Sequence, residues 1–204
     1  MLFEQYFKEK LISLYGENSN AYKAFKLVST EMCKEKGFIR KFSGEDYYVH
    51  CISVAFNLIA VNILDEDIIT AALLHDLMED VEKYDYATIS SLFNERVATL
   101  VWLVSKDNNI NYHIESNLKE YLDRSFSFWD SAVIRASDRL HNMQTLTGSS
   151  KKYMLRKANE TEKYFIPLIE KCGTECPIPE YKNLFYLSLT LILQEITYIR
   201  ETCK

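Results

Sequence analysis

The chain has little that breaks a helix. It holds five glycines and three prolines in 204 residues, and no proline precedes Pro167. Proline removes a backbone donor and clashes with the preceding turn, so its absence leaves everything before that point free to run as helix. No repeat, low-complexity tract or Ser/Gly-rich linker interrupts the sequence, and a single domain over residues 1–204 is expected. Long hydrophobic runs are missing too. The longest uncharged stretches, 51–64 and 183–194, fall short of the roughly 20 apolar residues that cross a bilayer. The opening MLFEQYFKEK mixes acidic and basic residues and lacks the apolar core of a secretory signal. The reading is a cytoplasmic protein with no membrane partner. Positive charge is not in excess, since 24 Lys and Arg against 29 Asp and Glu give a net charge of −5. That balance offers no general attraction to nucleic acid. Five cysteines, an odd number without regular spacing, do not form a disulfide framework. Cys172 and Cys176 stand four apart, but no second pair of ligands lies near them, and they read as ordinary thiols.

What is present is helical pattern. Residues 2–15 and 20–36 are amphipathic, and Gly37 is placed to end the second. The polar stretch RKFSGEDYY (40–48) reads as a loop leading into a nearly all-apolar helix over 48–62. Residues 65–80 start with acids suited to a helix N-terminus and predict a second core helix. Residues 85–106 predict a short helix capped by Thr88, a break near Asn94, and a longer helix. Further helices are expected at 114–126, 129–146, 155–172 and 180–202. The fold class is all-α, with about nine or ten helices and no sheet.

Chemistry concentrates in LLHDLMED (73–80), where His75, Asp76, Glu79 and Asp80 sit among leucines and a methionine. On one helix, His75 with Glu79 and Asp76 with Asp80 would stack as i,i+4 pairs. Three carboxylates taken from water without a cation would cost many kcal/mol or take up protons, and a divalent metal is the simplest compensation. His50 sits in the preceding apolar helix, and ASDRLHNM (136–143) adds Asp138, Arg139, His141 and Asn142. Two imidazoles and two carboxylates suit manganese, iron or zinc better than calcium. Spacing alone leaves open which histidines bind. Each cluster has a plainer explanation: a hydrogen-bonded core histidine, a solvated helix end, a surface ion pair. Their coincidence inside apolar helix favours the metal.

The adjacent His75 and Asp76, with His50 upstream and Asp138 downstream, resemble the HD superfamily of metal-dependent phosphohydrolases. More narrowly, SGEDYYVH (43–50), AALLHDLMED (71–80), LFNERVATLVWLVSK (92–106), ASDRLHNMQTL (136–146) and ETEKYFIPL (160–168) resemble, in order, the hydrolase domain of Rel/SpoT proteins, which degrade the alarmones ppGpp and pppGpp. The resemblance covers residues 20–170, with a motif core at about 40–170 and residues 171–204 as a helical extension. It implies a stand-alone alarmone 3′-pyrophosphohydrolase whose partner is the small nucleotide substrate. It also implies His50, His75, Asp76 and Asp138 as ligands to Mn²⁺, and Glu79 and Asp80 as the pair that handles the attacking water. Asn142, Thr145 and Ser43 match nucleotide contacts, Lys106 matches a basic position on the phosphate side, and His141 stands beside the ion rather than on it. Arg40, Lys41, Lys106, Lys151, Lys152 and Arg156 are candidate cations for the phosphates. The chain departs from the family in the base loop, where Lys41 and Phe42 replace an arginine and a basic or small residue, and at Cys51 and Asn94, where proline and glycine are usual. Lys41 or Phe42 is therefore expected to stack on the base. The alternatives are the same fold acting on an adenine alarmone, NADPH or another nucleotide, or a non-catalytic nucleotide sensor. Sequence does not fix the oligomeric state.

Overall fold

The computed structural model describes residues 2–203 and is all-α, with no strand among the described residues beyond one isolated antiparallel bridge, Ile39 to Asp46. In chain order the helices are α1 (Leu2–Tyr15), α2 (Asn20–Glu31), α3 (Tyr48–Ala60), α4 (Glu66–Leu74), α5 (Leu77–Asp80), α6 (Tyr86–Leu92) and α7 (Glu95–Val104). They continue as α8 (Glu115–Ser125), α9 (Trp129–Gln144), α10 (Lys151–Glu160), α11 (Ile166–Glu175) and α12 (Pro179–Thr202). Setting aside the four-residue α5 and seven-residue α6, ten remain, in line with the count expected from the sequence.

Helix α9 is the axis of the molecule and packs against α3, α4, α7 and α12. Every residue from Ser131 to Leu140 is buried, including Arg135, Asp138 and Arg139. A helix covered on all sides has no reason to carry charge unless the charges are paired or used. Helices α3 and α4 run beside it with almost wholly apolar buried faces. Polar contacts fix the ends. Asp65 caps α4 through the amides of Asp67 and Ile68, and Arg96 on α7 reaches both Asp65 and Asp130 at 2.9 Å, joining the starts of α4 and α9.

Four local expectations change. Helix α2 stops at Glu31, and a 3₁₀ turn over Lys34–Lys36 leads to Gly37, whose φ of 86° suits glycine. Thr88 is not a cap; its amide is the group that Asp85 caps. The helix expected over 155–172 begins earlier, at Lys151, and contains a π-helical turn at Thr161–Phe165. The single helix expected over 65–80 is two helices, α4 and α5, interrupted at His75 and Asp76. That break has a polar cause. The His75 ring takes the Ala72 carbonyl at 2.8 Å, and the Ser105 hydroxyl donates to the His75 carbonyl at 3.1 Å, so side chains replace part of the backbone ladder.

Candidate metal centre

The break lets two consecutive residues point one way. His75 Nε2 lies 3.0 Å from Asp76 Oδ2, although neighbours on an intact helix diverge. His50 from α3 and Asp138 from α9 complete the group: His50 Nε2 is 3.0 Å from Asp138 Oδ1, 3.2 Å from His75 Nε2 and 3.5 Å from Asp76 Oδ2. His50, His75 and Asp138 are buried, and their donor atoms all lie within 4.8 Å of one another, a spacing that could hold a metal ion. The i,i+4 stacking expected on an intact helix is replaced by this convergence.

Each donor is held from behind. His75 Nδ1 is committed to the Ala72 carbonyl, which leaves Nε2 facing the group. His50 Nδ1 meets His141 Nδ1 at 2.8 Å. Burial, then the neighbouring His50 and Arg40, push His141 down to about 3, so it is neutral, and one of the two Nδ1 atoms donates to the other. Tyr47 donates to Asp76 Oδ2 at 2.9 Å. Arg135 pairs with Asp138 Oδ2, and the Asn142 amide donates to Asp138 Oδ1 at 2.6 Å. Burial opposes the Asp138 charge, but Arg135 and the two imidazoles outweigh it and hold the carboxyl well below its ordinary range. Burial likewise opposes a proton on His75, and the Asp76 and Asp138 carboxylates overcome it, raising that imidazole well above its ordinary value. The pocket thus stabilises positive charge at its centre.

A cavity of about 310 Å³ opens above this group, with Asp76, Glu79, Lys106, Arg135 and Asp138 in its wall. Glu79 Oε2 accepts the Lys106 amide at 3.0 Å, and the Lys106 ammonium stands 3.8 Å from Oε1. Lys41, Phe42, Ser43, Asn142 and Thr145 also line the cavity, as does Arg40. Asp80 does not line it. It is exposed at its outer edge, while the protein crowding the rest of the carboxyl, then the charges of Asp76 and Glu79, push it up to about 7. Lys152 and Arg156 border a shallow groove on α10 instead, and Lys151 borders a separate cleft against α12.

Sequence reading passed over several residues that the fold brings here. Arg135 lies three before Asp138, a spacing that puts the two on one face of α9. Tyr47 lies three before His50. Lys157 lines the cavity and shares Glu160 with Arg139, at 2.9 and 3.3 Å, where α10 passes into the π turn. Tyr153, on the first turn of α10, meets Phe42 across the cavity mouth. No local pattern marks that pairing.

A family model described as HD domain matches residues 29–175. A guanosine-3′,5′-bis(diphosphate) 3′-pyrophosphohydrolase of Aquifex aeolicus is 33% identical over 168 residues, covering 81% of this chain and 23% of that protein. The bifunctional (p)ppGpp synthase/hydrolase SpoT of Escherichia coli is 32% identical over 152 residues, covering 72% of this chain and 21% of that protein. The chain therefore spans less than a quarter of the length of either relative. A solved structure described as a metazoan orthologue of SpoT that hydrolyses ppGpp and plays a role in starvation responses has a TM-score of 0.66 at 20% identity. The match covers 87% of this chain and 96% of that one, and shares its fold. No described helix is long and apolar enough to cross a membrane. With the family model spanning most of the chain and an adjacent His–Asp pair at the bottom of the cavity, this protein belongs to the HD-domain family.

Proposed function

We propose that the protein is a Mn²⁺-dependent, cytoplasmic 3′-pyrophosphohydrolase of guanosine 3′,5′-bis(diphosphate) and its pentaphosphate homologue. The observation that carries this reading is the convergence of four N and O donors beneath a cavity walled by cations. The donor set fits the ion: two imidazole nitrogens and two carboxylate oxygens, with a hydrogen-bond partner behind each residue, match a divalent transition metal. His50, His75, Asp76 and Asp138 would hold it. When bound, the ion supplies Lewis acidity, acidifying a water and offsetting charge on a phosphoryl oxygen.

The chain's own residues do the rest. Glu79, steadied by the Lys106 amide, accepts a proton from the attacking water, and Asp80 relays it toward solvent. Lys106, Arg135, Arg139 and Lys157 face the phosphates. The bond between the ribose 3′ oxygen and its diphosphate breaks, the water oxygen leaves on pyrophosphate, and a proton returns to the ribose oxygen. The products are GDP or GTP and pyrophosphate. The relatives' printed activities support the same reading.

The test is turnover by metal-stripped protein, with and without Mn²⁺, of guanosine and adenosine 3′,5′-bis(diphosphates) and NADPH, with products separated by ion exchange. Mn²⁺-dependent pyrophosphate release from the guanosine compound is the expected result. Release of a single phosphate from NADPH with none from the bis(diphosphates) would overturn the substrate while keeping the metal centre. A second reading, an enzyme that takes adenine nucleotides equally well, is favoured by Phe42 in the base loop.

A further inference from the structure

Two cations at the deep end of the cavity rest on a frame that lies outside it. Arg139 and Lys157 line the cavity, and Glu160 does not. The Glu160 carboxylate reaches both from behind: the Lys157 ammonium donates to its two oxygens at 2.9 and 3.1 Å, and Arg139 Nη2 donates to Oε1 at 3.3 Å. Arg139 Nη1 donates to Thr161 Oγ1, also at 3.3 Å. The same guanidinium lies 3.5 Å from the centre of the Phe165 ring, and the Arg135 guanidinium lies 5.4 Å from it. Phe165 is fully buried, and a cation taken from water onto a π face is held more strongly than an exposed one.

All of these supports come from one irregular turn. Glu160 immediately precedes the π turn, Thr161 and Phe165 bound it, and the Ile166 amide closes it on the Thr161 carbonyl. Residues five apart on an α-helix stand about 140° apart around its axis, so there Glu160 and Phe165 would not share a face. A bond that spans five residues widens the turn and brings the two to one side. One short segment can then offer a carboxylate, a hydroxyl and an aromatic face to a single guanidinium. Among the described residues, Nε of Arg135 and Nε of Arg139 are buried without a hydrogen-bond partner. Buried donors are rarely left so, and an anion entering the cavity that both residues line would supply acceptors. We propose that Glu160 and Phe165 are positioning residues: they hold Arg139 and Lys157 as a fixed pair of donors for the substrate's phosphates, and the π turn places them to do so. This rests on the reaction proposed above. With the shared carboxylate gone, the two like charges repel each other in a largely dry site and the pair separates.

The experiment compares full-length wild type, Glu160→Gln, Glu160→Asp, Phe165→Leu and Glu162→Ala, the last a control because Glu162 pairs with Arg200 on the surface. Two quantities are read: turnover of guanosine 3′,5′-bis(diphosphate) by the Mn²⁺-loaded enzyme, and calorimetric binding of inorganic pyrophosphate to the metal-stripped chain. Glu160→Gln is expected to raise KM and to weaken pyrophosphate by about 10–100-fold, with a smaller change in kcat. Glu160→Asp, which keeps the charge, should recover part of that loss. Phe165→Leu should show the same pattern at about 3–10-fold, and Glu162→Ala should match wild type. Pyrophosphate bound by Glu160→Gln as tightly as by wild type, or more tightly, would show that the carboxylate only competes with the ligand for its cations, and would overturn the proposal. So would a loss confined to Tm, or a wild type that takes up no pyrophosphate. If no nucleotide turns over, but pyrophosphate binds the wild type and weakens in Glu160→Gln, the positioning role stands and the proposed reaction falls.

Discussion

The two ends of the cavity are built differently. At the deep end each donor is held from behind: His75 by the Ala72 carbonyl, His50 by His141, Asp76 by Tyr47, Asp138 by Arg135 and Asn142. At the mouth, Phe42 and Tyr153 are half-buried and meet without a hydrogen-bonded brace between them, on a loop and the first turn of a helix. A reaction that needs donors fixed within fractions of an ångström calls for the first arrangement. Choice of ligand needs only a surface of the right character, which a few loop residues supply. The contrast teaches that chemistry and selectivity are separable here, and substitutions should fall into two groups.

The largest effect is expected from Asp138→Ala. It removes a proposed ligand and leaves Arg135 buried without its carboxylate, so activity should vanish and stability should fall by about 3–5 kcal/mol. Urea unfolding of the metal-stripped variant measures the second part. A fully stable variant would break the claim that the deep end is one braced unit. Next, Glu79→Gln should lower kcat by about 10²–10⁴-fold while Mn²⁺ binding, followed by electron paramagnetic resonance, is kept. His141→Ala should weaken Mn²⁺ binding by about 10–100-fold, because His50 loses the hydrogen-bond partner that orients it. A change confined to thermal stability would show that His141 only packs.

The smallest effect concerns pH. In the metal-stripped chain Asp80 holds its proton up to about 7, against an ordinary value of 3.8. Between those values the folded state binds more protons than the unfolded one, so stability falls as pH rises through this window. The contribution is fully present below the lower value and lost above the upper. Asp80→Asn should therefore gain stability relative to wild type as pH rises from about 4 to 7, visible as a flatter plot of Tm against pH. Parallel plots for the two proteins would show that Asp80 titrates as an ordinary carboxylate.

Much of this was legible in the sequence. The buried runs of α3 and α9 read directly from apolar residues with isolated charges, and the sparse glycine and proline forecast an all-α chain. The donor residues were legible through motif resemblance; periodicity alone placed His75 and Asp80 on an unbroken helix. The break at His75 and Asp76 was hidden because neither proline nor glycine marks it. Its cause includes the Ser105 hydroxyl, which arrives from the end of α7 and is a tertiary fact. Arg135 carried a readable signal, its i,i+3 spacing to Asp138, but such spacings are common on solvated helices and burial is what distinguishes this one. The meeting of Phe42 with Tyr153 joins residues far apart in the chain and follows only from packing.

The raised affinity of His75 for a proton carries a further consequence. Without a divalent ion, the cluster meets its need for positive charge with a proton that the Asp76 and Asp138 carboxylates hold on the His75 imidazole. Loading the ion must then displace acid into the solvent. Occupancy becomes a competition between two kinds of cation, and metal affinity falls as the surroundings acidify.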